Sequence, residues 1–262
     1  MKKYIFLGLA ALIPFVYAVG EESAPLPKEE RTAQASLPLP INRINQHIND
    51  MRTMIQEMVQ NNSDVLMEYD NLAKTLKNAY LAEHAINEGD VHIILEAVGY
   101  AAEKHKGQTK NQAPYVLHPI RVAEHLLTLA NINERDVLVA ALLHDTVEDM
   151  KTTYQDIQKV FGSTVEGYVK EVTEDLALNE KERKDQIIAN ASKKSKAAIQ
   201  IKLAERYDNL KSLQAAAPVG MDQKAIDEYF QSSKELVGKL PNANETLKKA
   251  VNEIISAHAK KQ

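Results

Sequence analysis

The feature that most constrains this chain is a charged pair at the end of an uninterrupted apolar run. Val137 to Leu143 contains no polar side chain, His144-Asp145 follows it directly, and a second acidic pair, Glu148-Asp149, comes one helical turn later. Residues four apart share a helix face, so a continuous helix here sets Glu148 over His144 and Asp149 over Asp145. Carrying a carboxylate and an imidazole into an apolar helix costs several kcal/mol unless something compensates them. A bound cation is the most economical compensation for this mixture of donors.

The rest of the chain favours helix nearly everywhere. Trp is absent, there are only 4 Phe, and Gly and Pro number 9 each in 262 residues, so an all-α protein is expected. With 44% hydrophobic residues the chain can form one full-sized core plus an appendage. There is no cysteine, which excludes disulfides and thiolate ligands and leaves His, Asp and Glu for any metal. A net charge of −4 gives no general reason to expect nucleic-acid binding, although a local basic patch is compatible with a phosphorylated small molecule.

Four segments follow one another. Residues 1–18 read as a signal peptide: Lys2-Lys3 precedes an apolar stretch from Tyr4 to Val16, interrupted by Pro14, and Val16-Tyr17-Ala18 suits cleavage after Ala18. The stretch is shorter than the roughly 20 residues that a spanning helix needs, so the mature chain is expected in the periplasm or secreted, without stable membrane association. Residues 19–40, with Pro25, Pro27, Pro38 and Pro40, read as an extended linker. Residues 41–88 carry apolar positions at alternating intervals of three and four: Ile41, Ile44, Ile48, Met51, Ile55 and Met58, then, past a polar Asn62, Val65, Tyr69, Leu72, Leu76 and Ala79. A parallel coiled-coil homodimer through residues 41–80 is the preferred reading of this seam. A helical hairpin broken near Asn61–Asp64, with Ser63 as the cap, or helices packed on the neighbouring domain satisfy it too.

Residues 89–262 read as a helical domain. Asp90 is the expected N-cap of a helix to Lys106, Leu117-His118-Pro119 opens the next one, and Asp136 caps the apolar helix. Amphipathic segments follow over Tyr154–Phe161, Val165–Val172, Ala197–Leu213, Asp222–Leu240 and Asn242–Lys260, with no repeat and no strand. His118 and Lys202-Leu-Ala-Glu205 lie on helices before and after the His-Asp pair, so two imidazoles and two carboxylates can converge from three helices. Such a set suits Mn²⁺, Fe²⁺ or Zn²⁺ better than Ca²⁺ or Mg²⁺.

Tyr115-Val-Leu-His-Pro-Ile-Arg-Val-Ala123, Ala140-Ala-Leu-Leu-His-Asp-Thr-Val-Glu-Asp149, Glu171-Val-Thr-Glu-Asp175, Glu182-Arg-Lys184 and Lys202-Leu-Ala-Glu-Arg-Tyr-Asp-Asn-Leu210 together resemble the hydrolase domain of RelA/SpoT proteins. The likeness is greatest to the small, hydrolase-only alarmone hydrolases of the metazoan SpoT type, and it runs from about Asp90 to Leu240. The resemblance implies an all-helical HD-domain fold that uses Mn²⁺ to remove the 3′-pyrophosphate of (p)ppGpp. It also implies that His118, His144 and Asp145 are metal ligands, with Glu205 where the family has an Asp. Asp208, three residues on, is a candidate to compensate for that change, although the position does not match a ligand of the family. Glu148 and Asp149 match the catalytic acidic pair, and Tyr115 and Asn209 match nucleotide-binding positions. Lys110 stands where the family has a stacking Arg, in a loop one residue shorter. Arg183, Lys184, Lys193, Lys194 and Lys196 form a basic cluster able to receive phosphates. A catalytically weakened nucleotide- or protein-binding module is the alternative to an enzyme. His105 reads as structural, and His47, His84, His92, His125 and His258 acquire no role from the sequence.

Overall fold

A computed structural model describes residues 40–82, 85–149, 152–218 and 220–260. The expected signal peptide and all but the last residue of the linker lie outside the described residues. The described part is helical apart from one short ladder, and none of its helices is long and apolar enough to cross a membrane.

The heptad-like seam folds as a hairpin. Helix α1 (Pro40–Met58) ends, Gln60 and Asn61 take the left-handed backbone conformation at φ 55° and 58°, and α2 (Ser63–Leu81) begins. Asn62, not Ser63, is the cap, its side chain accepting the Val65 amide at 3.1 Å. The Tyr69 hydroxyl donates to the Ile48 carbonyl at 2.8 Å, and Arg52 grips Asp70 through two hydrogen bonds of 2.8 and 3.1 Å. Ile44, Met51, Ile55, Val65, Tyr69, Leu72 and Leu76 are all buried within this one chain. That corrects the preferred reading of a continuous coiled-coil seam: the turn breaks the register, and the apolar positions already have intramolecular partners.

From Ile44 onward the hairpin and the following helices form one compact unit. Helix α3 (Glu88–Lys104) is capped by Asn87, with Asp90 at the third helical position completing a reciprocal capping box, so Asp90 supports the cap without being it. At Gly99 a Cβ would lie 2.7 and 2.6 Å from the methyls of Met51 and Met54, which is why α1 can lie so close to α3. The loop after α3 closes into a two-residue ladder, β1 (Thr109–Lys110) against β2 (Ala113–Pro114), through Asn111 and Gln112 at φ 54° and 67°. Two consecutive positive φ values are what a tight hairpin turn requires, and this small ladder is absent from the sequence-based expectation.

Helix α4 (Leu117–Thr128) packs against α2 and against α5 (Arg135–Leu143). Asp136 does not cap α5; the N-cap is Glu134, and Asp136 pairs with Arg135 in the first turn. Every residue of α5 from Val137 to Leu143 is buried, because α3, α4, α8 (Ser163–Val172) and α10 (Lys196–Ala215) contact it from different sides. Two short helices, α6 (Thr146–Asp149) and α7 (Tyr154–Phe161), and α9 (Glu180–Asn190) fill the connections. Helices α11 (Gln223–Lys239) and α12 (Glu245–Ala259) close the bundle, α12 lying along α10.

Candidate metal centre

The apolar helix stops where the chemistry begins. Instead of continuing through Glu148, α5 ends at Leu143, and His144 and Asp145 form a turn before α6. Side chains cause the break: His144 Nδ1 lies 2.7 Å from the Ala141 carbonyl oxygen, and Thr146 Oγ1 donates to the Leu143 carbonyl at 2.8 Å. These local bonds compete with the helical ladder. The expected stacking of Glu148 over His144 along one continuous helix therefore gives way to two helices separated by the His144-Asp145 turn, and Asp149's side chain lies outside the described residues.

His118, near the start of α4, joins His144 and Asp145, so that one ligand atom from each lies within 4.8 Å of the others. His144 Nε2 is 3.0 Å and His118 Nε2 3.8 Å from Asp145 Oδ2, and the two rings meet edge to face at 5.2 Å. The His144 nitrogen is buried without an aligned hydrogen-bond partner. Each imidazole has its other nitrogen occupied, His144 by the Ala141 carbonyl and His118 by Asp208 at 2.7 Å. That leaves both Nε2 atoms and a carboxylate oxygen turned to one point, a donor set that fits a divalent transition metal. Tyr115 donates to Asp145 Oδ2 at 2.7 Å and orients the carboxylate.

Glu205 is not part of this trio. Its Oε2 lies 2.9 Å from Lys202 Nζ on the same helix. Burial pushes the Glu205 carboxyl up, but Lys202, Arg206 and His144 outweigh it and bring its pKa down to about 2. Burial disfavours the charged form of His144 as well, yet Asp145 and then Glu205 raise it to about 9. Glu148 behaves oppositely to Glu205. Burial dominates and lifts it to about 7, against the Glu174 amide, which donates to its Oε1, and the charge of Lys202.

The three expected nucleotide contacts also converge. Lys110 Nζ donates to Asn209 Oδ1 at 2.8 Å and stands 5.6 Å from the Tyr115 ring, which also stacks on His105 at 4.8 Å and meets His118 edge to face at 6.1 Å. The basic cluster separates: Lys194 donates to the Glu171 carbonyl, whereas Arg183 and Lys184 line a cavity of about 340 Å³ with Arg206, Tyr229 and Glu174. Arg206 lies 5.0 Å from the Tyr229 ring. Lys202, Arg206 and Tyr229 acquire no function from the sequence, and Asp208 only that of a substitute ligand for Glu205, a role the structure does not give it. Lys202 and Asp208 lie three residues either side of Glu205, at helical spacing, the one local signal that points to them.

A helical bundle presenting a His from one helix beside a His-Asp pair at the end of another is the arrangement of HD-domain proteins. The HD-domain family profile matches residues 97–232, and the chain belongs to this family. It is 43% identical over 163 residues to guanosine-3′,5′-bis(diphosphate) 3′-pyrophosphohydrolase MESH1 of Drosophila melanogaster, covering 61% of this chain and 91% of that protein. The human MESH1 is 38% identical over 164 residues, 62% of this chain and 92% of its own length. Among solved structures, a metazoan ortholog of SpoT described as hydrolysing ppGpp superposes with a TM-score of 0.62 at 41% identity, covering 63% of this chain and 95% of that one.

Proposed function

We propose that this chain is a metal-dependent phosphohydrolase that removes the 3′-pyrophosphate of (p)ppGpp or a related 3′-phosphorylated nucleotide. The observation that carries the reading is the trio His118, His144 and Asp145, two buried imidazoles and a half-buried carboxylate whose ligand atoms lie within 4.8 Å of one another, in a chain that matches MESH1 proteins over nine-tenths of their length. Mn²⁺ is the proposed ion, with Fe²⁺ or Zn²⁺ as alternatives compatible with the same donors. When bound, such an ion supplies Lewis acidity, lowering the pKa of water and polarising a phosphoryl oxygen.

The remaining steps belong to the protein. His118 and His144 would hold the ion through Nε2 and Asp145 through a carboxylate oxygen, Tyr115 keeping that carboxylate in place. Water attacks the phosphorus attached to the ribose 3′-oxygen, the P–O bond to that oxygen breaks, and pyrophosphate leaves. Glu148, with a pKa near 7, can take the water's proton at its carboxylate and return one to the leaving oxygen. Asp149 is assigned beside it on the sequence resemblance alone. Lys110, Tyr115 and Asn209 form a continuous edge for the nucleoside, and the wall of Arg183, Lys184 and Arg206 offers cationic partners for phosphate.

Lys2-Lys3 and the apolar run to Val16 support export to the periplasm or beyond, and N-terminal sequencing of protein recovered outside the cytoplasm, starting at Val19, tests that part. A second reading, a weakened binding module, is favoured by the single observation that Glu205 is held by Lys202. Elemental analysis and a pyrophosphate assay separate the two. Stoichiometric metal and pyrophosphate release from ppGpp support the enzyme; a binding-only protein gives neither, and Glu205→Asp then raises activity if the longer side chain is the handicap.

A further inference from the structure

We propose that Asp208 is the positioning residue of this centre: it fixes the ring orientation and the Nδ1–H tautomer of His118 and so directs His118 Nε2 toward His144 and Asp145. The inference deepens the metal-dependent reading above and rests on it.

Asp208 lies one turn beyond Glu205 on α10, 90 residues from His118 in sequence, yet its Oδ2 is 2.7 Å from His118 Nδ1. Its carboxylate is itself immobilised. Arg121 donates from Nε to Oδ1 at 2.7 Å and from Nη2 to Oδ2 at 3.1 Å, and His125 Nε2 stands 3.4 Å from Oδ1. Glu68 on α2 and Glu124 add negative charge around the Arg121 guanidinium, which ties the N-terminal hairpin to the same network. The Asp208 side chain is only 4% exposed.

This arrangement decides between two roles for Asp208. As a replacement ligand for the ion it would have to turn an oxygen inward, but both oxygens already accept from Arg121, a cation that a metal cannot share a carboxylate with at low cost. As a positioning group it needs one strong acceptor facing His118 Nδ1, and it has that. A carboxylate that accepts from the non-ligating nitrogen leaves the other nitrogen bare, raises its basicity and stops the ring from turning. His118 is the only member of the trio on α4, so this one hydrogen bond sets how α4 and α10 bring it to the pair at the end of α5.

The test uses the full chain with ¹⁵N-labelled histidine. In the metal-free wild type, the His118 resonances should report a proton on Nδ1 and a bare Nε2. In Asp208→Ala a population protonated on Nε2 should appear, and the Kd for Mn²⁺, read from the electron paramagnetic resonance of free ion, should weaken by roughly 10–100-fold. Asp208→Asn, whose amide oxygen still accepts, should keep the Nδ1–H tautomer and bind Mn²⁺ more tightly than the alanine variant; it also supplies the comparison if Asp208→Ala does not fold. A His118 tautomer unchanged in a folded Asp208→Ala, or an Mn²⁺ affinity within about twofold of wild type, overturns the proposal. Failure of wild type to bind Mn²⁺ contradicts the metal-dependent reading instead, while the tautomer measurement, made without metal, still decides what Asp208 does.

Discussion

Glu205 Oε2 lies 2.9 Å from Lys202 Nζ, one turn earlier on α10, with both residues buried beside the His144-Asp145 turn. The pair keeps the fourth expected ligand, a second carboxylate, close enough to act on His144 electrostatically but outside the trio that offers ligand atoms to one point. Burial opposes the charged form of each, and each holds the other charged.

Removing Lys202 should therefore expose the cost of an unpaired buried carboxylate. Lys202→Met, which preserves the stem, should destabilise the metal-free protein by about 3 kcal/mol, lowering Tm by roughly 5–10 °C. A divalent cation would then find Glu205 available. Thermal melts with chelator and with Mn²⁺ should show a larger Mn²⁺-induced rise in the variant than in wild type; equal rises would mean that Lys202 does not restrain Glu205.

Glu148 is held at some cost to stability. Its carboxyl is raised from 4.5 to about 7, so between these values the folded state binds more protons than the unfolded one. Its contribution to stability is fully present below pH 4.5 and lost as pH rises through 7. Glu148→Gln cannot ionise, so in chelator at pH 8 it should be more stable than wild type by about 1–3 kcal/mol, with the advantage gone at pH 4.5. The same variant should lose at least ~100-fold in hydrolysis rate. Melting curves at the two pH values and an initial-rate assay check both halves.

His47 on α1 stacks on His92 of α3 with ring centroids 4.2 Å apart, where the hairpin meets the domain. Burial lowers the His47 pKa below 6.5, against raising contributions from the His92 backbone and from Asp50. A depressed imidazole pKa means that the unfolded state binds the proton more readily, so this contribution is intact above pH 6.5 and declines as pH falls below it. Wild type should lose more Tm between pH 7.5 and pH 5 than His47→Gln does. Parallel pH dependences in a pair of melts would show that the stack does not titrate in this way.

Helical class and the three-residue centre are legible in the sequence because both rest on local pattern. Val137–Leu143 reads as a buried helix because the composition around it favours helix, and the resemblance pairs His144-Asp145 at its end with His118. The hairpin was harder to see, since a seam with alternating spacing of three and four is the same whether it faces another chain or its own second half. What decides is the pair of left-handed residues Gln60 and Asn61, a backbone choice that a polar tetrapeptide permits without dictating. The contact of Asp208 with His118 is the least visible. The two residues are 90 apart in sequence, and nothing in Arg206-Tyr-Asp208 says which side of α10 will meet α4. The break after Leu143 was hidden for a related reason: His144 and Thr146 stop the helix through side-chain bonds to the backbone, and both residue types also occur within helices.

The most direct measurement is pyrophosphate release from ppGpp by the purified protein, titrated with Mn²⁺ after complete removal of metal. Hydrolysis should be absent in chelator, appear with Mn²⁺ as GDP and pyrophosphate in equal amounts, and be abolished in a folded His144→Ala. Release that persists without metal, or none at any Mn²⁺ concentration from a protein that binds the ion, would contradict the assignment of His118, His144 and Asp145 as a catalytic metal centre.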